Sequence, residues 1–164
     1  MTMFCRADLS IGLPRHLLWE LISDTKARNL WQPNVISAEL ETGYGGGKGS
    51  IVNLLMREGR SSIKVVERVT RSRLQDSLAT IQTWPHHQIH NKFILTTESD
   101  ETTHLTLQKR YKGQIRFAVL GKQLTRRQLE TAAMEELLGI KNLSAQLHNR
   151  MAEQSMPPAL RVVE

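Results

Sequence analysis

Hydrophobic residues recur with two different periods along this chain. From Leu129 the apolar or small positions Ala133, Leu137, Ile140, Leu143 (or Ser144), Leu147 and Met151 follow in steps of three and four, which places them on one helical face. Arg126, Glu130, Lys141, Gln146 and Arg150 lie mostly off that face. No proline interrupts the stretch from Gln114 to Arg150, so the pattern predicts a rod of roughly 50 Å at ~1.5 Å per residue. Gly121 and Gly139 each cost up to about 1 kcal/mol against alanine, which favours a bend or a late start near Gly121. A helix with a single apolar face needs a surface to lie against.

Upstream the period is two. Phe4, Ala7, Leu9 and Ile11 carry a strand signal that Gly12 and Pro14 break. Pro14 suits the first turn of a helix, and Leu17, Leu18, Leu21 and Ile22 give that helix a short apolar face ending at Asp24 and Thr25. Residues 26–31 read as a second short helix, stopped by Pro33. Ile36, Ala38 and Leu40 then alternate with Ser37, Glu39 and Glu41. Further strand-like runs follow at Ser50–Glu58, Ser61–Val69, Gln75–Trp84, His87–Thr97 and Thr103–Tyr111, at the spacing of about 12 residues expected of an antiparallel meander. In the run at 75–84 both faces are mixed, so its inward side stays open.

The last hairpin can be registered from the pattern alone. Pairing Leu95 with Leu105 and Phe93 with Leu107 also sets Asn91 opposite Lys109 and Ile89 opposite Tyr111. The other face then holds His90, Lys92, Thr96, His104, Thr106, Gln108 and Arg110, with Ile94 as its apolar exception. A slip of one residue would mix the two faces, so the pattern itself selects this register. The summed order is an α+β chain, in which a curved antiparallel sheet of seven strands receives one long C-terminal helix and two short helices follow strand 1. The expected organisation is a single domain over residues 1–150 and a loose tail over 151–164, where two prolines fall and the periodicity ends.

Composition narrows the setting. No apolar run reaches the ~18 residues of a membrane span, no secretory signal is visible at the N-terminus, and the single Cys5 can form no internal disulfide. The expectation is a cytoplasmic protein. The net charge is +6, from 22 Lys and Arg against 16 Asp and Glu. These charges are scattered along the sequence, densest at Arg68, Arg71 and Arg73, and no recognition motif accompanies them. That weighs against nucleic acid as the partner. Oligomeric state stays open, a homodimer included.

Several motifs carry a resemblance. The segment Ile11 to Asp24 is similar to the opening strand-to-helix signature of the SRPBCC superfamily, which includes START lipid-transfer domains, polyketide cyclases and the birch-pollen-allergen class. The segment Asn29-Leu-Trp31-Gln-Pro33-Asn-Val35 resembles its continuation, Gly43 to Gly49 its glycine-rich loop, and Thr102 to Leu107 its final strand. The resemblance covers roughly residues 3–149 and is closest to the polyketide cyclase/dehydrase-like branch. It implies a helix-grip fold with a long cavity between the sheet and the C-terminal helix, holding an apolar ligand. It carries over no universal catalytic residue.

The glycine loop lacks the Gly-Lys-Ser/Thr and following helix of a phosphate-binding loop, because Lys48 is followed by Gly49 and then a strand. It reads as a hairpin loop or a cavity rim. His86, His87, His90 and His104 do not converge in the register above, so no metal is expected, and no cofactor motif is present. Neither a nucleophile elbow nor a close carboxylate pair occurs. The informative residues are polar ones on apolar strand faces: Asn91, Lys109 and Tyr111 on the last hairpin, Glu67 beside Ile63 and Val65, and Asn53 beside Ile51 and Leu55. A buried charge needs a partner, so these residues are either structural pairs or anchors for the polar end of a ligand. Trp31, Phe93 and Leu107 join them as apolar candidates, Trp31 in either core packing or ligand stacking. The leading expectation is a binding or transport protein for a small hydrophobic or amphipathic molecule. The alternative is a cyclase or dehydratase acting on an aromatic or lipid-like substrate, with Lys109, Tyr111 and Glu67 as its acid–base groups. A basic nucleic-acid-binding module ranks third.

Overall fold

The computed structural model describes residues 2–113 and 125–155. Its elements run β1 (Thr2–Ile11), α1 (Arg15–Ser23), a short 3-10 turn (Thr25–Ala27), α2 (Arg28–Trp31), β2 (Val35–Thr42), β3 (Ile51–Glu58), β4 (Ser61–Arg73), β5 (Ser77–Thr83), β6 (His87–Thr97), β7 (Thr103–Gly113) and α3 (Arg126–Ser155). The seven strands form one antiparallel sheet in the order β1-β7-β6-β5-β4-β3-β2. Consecutive strands from β2 to β7 are therefore neighbours, and β1 returns to pair with the last of them. The β6–β7 hairpin has the register expected from its pattern: Leu95 opposite Leu105, Phe93 opposite Leu107, Asn91 opposite Lys109 and Ile89 opposite Tyr111.

One face of the sheet, the inner one, carries the core. Leu78, Thr80 and Gln82 point inward, which settles the side that the mixed pattern of β5 left open. On β3 the inward residues are Val52, Leu54 and Met56, not Ile51, Asn53 and Leu55. A bulge between Val69 and Arg71 lets β4 continue four residues past the expected end at Val69.

The local signals at the short helices act as their chemistry suggests. Pro14 precedes α1 with φ −56°, and its carbonyl accepts the first helical bond from Leu18 N–H. Leu18, Trp19, Leu21 and Ile22 are buried. Asp24 ends the helix and accepts a bond from Lys26 N–H at 2.9 Å, capping the next turn.

Helix α3 buries Leu129, Ala133, Leu137, Ile140 and Ser144 on the expected stripe, with Leu143 and Leu147 half-buried against the core. It lies mainly against β1, and also touches α2 and β7. Its start is set by a reciprocal cap: Gln128 N–H donates to Thr125 Oγ1 at 3.3 Å and Thr125 N–H donates to Gln128 Oε1 at 2.9 Å. The part of the expected rod between 114 and 124 lies outside the described residues. At the other end the helix runs on to Ser155, beyond the expected boundary at Arg150, and its last turn is exposed, Met151 included. At Gly139 an added Cβ would collide with the Trp31 carbonyl oxygen, so the helix approaches α2 at backbone distance there.

The interior divides into two apolar clusters. The larger joins β1, β5, β6, β7, α1 and α3, and Cys5, Phe93, Leu105, Leu107 and Leu137 belong to it. The smaller comprises Val35, Val52, Leu54, Met56 and Val65, on the β2–β4 half of the sheet. Between them the inner face turns polar.

Candidate ligand site

That polar strip follows from strand register. Thr80, Asn91, Lys109 and Cys5 are successive cross-strand partners, so their side chains form one row across the inner face of β5, β6, β7 and β1. The adjacent row runs Glu67, Gln82, Ile89, Tyr111. All of these are buried. Two charged groups come down onto the strip from helices: Arg28 from α2 and Glu136 from α3.

Glu67 is the most heavily bonded of the set. Arg28 grips it with both ends of its guanidinium, Nη2 to Oε1 at 2.6 Å and Nη1 to Oε2 at 3.1 Å. Gln82 Nε2 donates to the same carboxylate at 2.8 Å, and Thr80 Oγ1 at 3.3 Å. Arg28 Nη1 also donates to Gln32 Oε1 at 2.9 Å. Burial pushes the Glu67 carboxyl upward, but the Arg28 charge and the bonds from Arg28, Gln82 and Thr80 outweigh it and hold the group below its ordinary value. Glu67 is thus an ionised carboxylate with its lone pairs committed.

Lys109 forms the second pair. Its ammonium donates to Glu136 Oε1, and both residues are at most 8% exposed. Burial acts to lower the lysine, but the Glu136 carboxylate, with Tyr111 and Cys5 nearby, raises it above its ordinary value. Burial pushes the Tyr111 hydroxyl up to about 12, against the opposing pull of Lys109. The Cys5 thiol is also pushed up, by burial first. At neutral pH this cluster holds an ammonium–carboxylate pair, a phenol and a thiol.

Three buried polar atoms on this side of the sheet have no hydrogen-bond partner among the described residues: Asn91 Oδ1, Arg28 Nε and Trp31 Nε1. Asn91 spends its Nδ2 on Thr80 Oγ1 at 3.4 Å and leaves its acceptor free. Arg28 stacks over the Trp31 ring at 5.2 Å, and Trp31 meets Phe93 edge-on at 6.0 Å. Hydrogen bonds link Arg28 to Asn91 through Glu67 and Thr80, and the stacking contact links Arg28 to Trp31.

Of the residues singled out from sequence, Glu67, Asn91, Lys109 and Tyr111 come together on the inner face, with Trp31, Phe93 and Leu107 buried around them. Asn53 does not. It is exposed on the outer face and donates to Glu41 Oε2 at 3.3 Å, because β3 presents its even-numbered residues inward. Arg28, Thr80, Gln82 and Glu136 were missed. Glu136 could have been found, since it sits three after Ala133 and four before Ile140, a charge on the apolar stripe. Arg28 carries no such signal.

No family model and no curated protein matches the chain. Solved structures do. The Zhui aromatase/cyclase from Streptomyces sp. R1128 superposes with a TM-score of 0.69 at 17% identity, over 99% of this chain and 100% of that one. A START superfamily protein from Mycobacterium smegmatis gives 0.69 at 15% identity, over 88% and 98%. The major latex-like protein 151 from Panax ginseng gives 0.67 at 16% identity, over 88% and 97%. With its seven-stranded antiparallel sheet, two short helices after β1 and one long helix against the inner face, the chain has the helix-grip fold that these structures share.

Proposed function

We propose that this protein binds a small amphipathic molecule between the inner face of the sheet and its helices. The observation that carries the reading is the polar strip between two apolar clusters bridged by Trp84, with Asn91 Oδ1, Arg28 Nε and Trp31 Nε1 unpartnered on it among the described residues. An unmatched buried polar atom costs about 1–3 kcal/mol. A ligand offering one donor to Asn91 and an acceptor to Arg28 or Trp31 would relieve that cost. Its apolar body would lie against the Val52, Leu54, Met56 and Val65 wall. Neighbours of the same fold include a norcoclaurine synthase in complex with a transition-state analogue, which supports a small organic occupant.

The cyclase reading has weaker support from the same groups. A general base works best with a pKa near the operating pH. Lys109 and Tyr111 are both raised away from neutrality, and Glu67 is lowered and saturated with donors. These are anchoring groups more than proton carriers.

Native mass spectrometry of freshly purified protein tests the proposal, followed by denaturing extraction of the carried mass. The expected result is a bound small molecule whose affinity falls about tenfold in Asn91→Leu, the loss of one hydrogen bond to a buried group. A bare polypeptide mass, together with no saturable binding of fluorescent fatty-acid or polycyclic aromatic probes, would remove it. Turnover of an aromatic polyketide-like substrate that survives in Asn91→Leu but is lost in Lys109→Met would favour the enzyme instead.

A further inference from the structure

The outer face of the sheet collects charge that the sequence scatters. Across β4, β5, β6, β7 and β1 the outward rows read Arg71, Ala79, Lys92, Gln108, Arg6 and Arg68, Ile81, His90, Arg110, Phe4. A concavity of about 880 Å³ lies over these rows. Its cationic lining is Lys48, Arg71, Arg73, Lys92 and Arg110, together with Lys109, which points away to the inner face, and no carboxylate among the described residues lines it. Lys48 arrives from the glycine loop, whose Gly49 N–H donates to Val69 O at 2.8 Å and so pins the loop beside the β4 bulge. Arg73 is shared with Asp76 at 3.8 Å. Lys48, Arg71, Lys92 and Arg110 have no ion pair among the described residues.

The trough also offers unused surface for a base. Phe4 stands 47% exposed opposite Arg110, and Ile81 lies half-buried opposite His90. His90 Nε2 is a buried atom with no partner among the described residues. Burial, with Lys112 and Arg110 close by, holds that ring below its ordinary pKa, so at neutral pH it can donate or accept.

We infer that this outer trough binds single-stranded nucleic acid, with the unpaired cations on the phosphates and Phe4 beneath a base. Five adjacent strands give it a width of ~19 Å at about 4.8 Å per strand, on the order of four nucleotides. A duplex fits less well, because among the described residues no helix or ribbon projects from this face to enter a groove. A flat bilayer would meet the rim and leave the floor uncovered. Thr80, Asn91 and Lys109 of the inner strip also border the trough, but strand alternation turns their buried side chains to the opposite side of the sheet from Arg71, Lys92, Arg110 and Phe4.

The test is fluorescence anisotropy of the full chain with labelled oligo-uridine and oligo-thymidine. Four released counterions give a slope of log K on log salt of about −2.8, and hence a loss of roughly 50-fold between ~50 and ~200 mM salt. Arg71→Gln/Lys92→Gln should halve that slope. Phe4→Ala should weaken binding by at least ~5-fold, the stacking contribution of one base. Lys141→Gln/Arg150→Gln removes the same charge from exposed positions on α3 and should change neither. Equal loss in both double variants would mean a net-charge effect and overturn the proposal, as would no binding at low salt. Displacement of the oligonucleotide by poly-glutamate at equal charge concentration would also overturn it, in favour of an acidic protein partner. A preference for uridine over thymidine oligomers would support it and identify RNA as the ligand.

Discussion

Replacing Lys109 by methionine keeps an unbranched side chain, one atom shorter, and removes its charge. In the folded protein Lys109 is 3% exposed and Glu136, its partner on α3, is 8% exposed. The substitution therefore leaves a carboxylate facing apolar surroundings with no counter-charge. Breaking one side of a buried pair costs about 3–5 kcal/mol. For a chain of this length each 1 kcal/mol moves Tm by about 2–4 °C, so a fall of roughly 6–20 °C is expected at pH 7. Lys109→Met/Glu136→Leu removes both charges and should return stability to within about 1 kcal/mol of the parent or above it. Thermal and urea unfolding followed by far-UV circular dichroism measures both variants. A single variant within about 1 kcal/mol of the parent, or a double variant no better than the single one, would refute a sealed pair joining sheet and helix.

Three further outcomes follow from the same contacts. Glu67 is held below the 4.5 of a free glutamate, so its contribution is complete above that pH and is lost as pH falls through the lower folded value. Glu67→Gln should unfold more easily at pH 7, with Arg28 left unpaired, and should show a shallower stability loss below pH 4.5 in acid titrations by circular dichroism. Gly139→Ala should lower Tm although alanine is the better helix former by up to about 1 kcal/mol, because its methyl meets the Trp31 carbonyl; a raised Tm would mean that α2 moves freely. Leu137→Ala, at a fully buried position, should cost about 2–5 kcal/mol in urea unfolding, whereas Leu138→Ala, 42% exposed, should cost far less.

How legible each feature was depended on whether it left a periodic trace. The β6–β7 register was readable because shifting it would have exposed Phe93, Leu95, Leu105 and Leu107 together. The stripe on α3 was readable for the same reason. The face of β3 was misread because Ile51-Val-Asn-Leu-Leu-Met has apolar residues on both faces, so alternation gave no vote and Asn53 was placed inside. Arg28 was invisible because what makes it buried is a partner 39 positions away. The outer trough was hidden differently. Arg71, Lys92 and Arg110 look scattered until strand pairing puts them on one face, where the glycine loop adds Lys48.

The two buried ion pairs bear on purpose as well as on stability. Matched apolar side chains in place of a buried pair are often as stable or more so, by 1–4 kcal/mol. Arg28–Glu67 and Lys109–Glu136 are thus poor candidates for mere glue. They sit on a strip between the Val52–Val65 cluster and the main core, which meet only through the half-buried Trp84 among the described residues. Apolar replacements along Thr80, Asn91 and Lys109 would be expected to join the clusters into one packed interior. Such a protein should be at least as stable as this one but unable to orient a polar group beside the Trp31–Phe93 wall. A Thr80→Val/Asn91→Leu/Lys109→Met/Glu136→Leu variant makes the distinction measurable. Retained or increased Tm with loss of the bound small molecule would assign the strip to recognition. A large fall in Tm would assign it to folding.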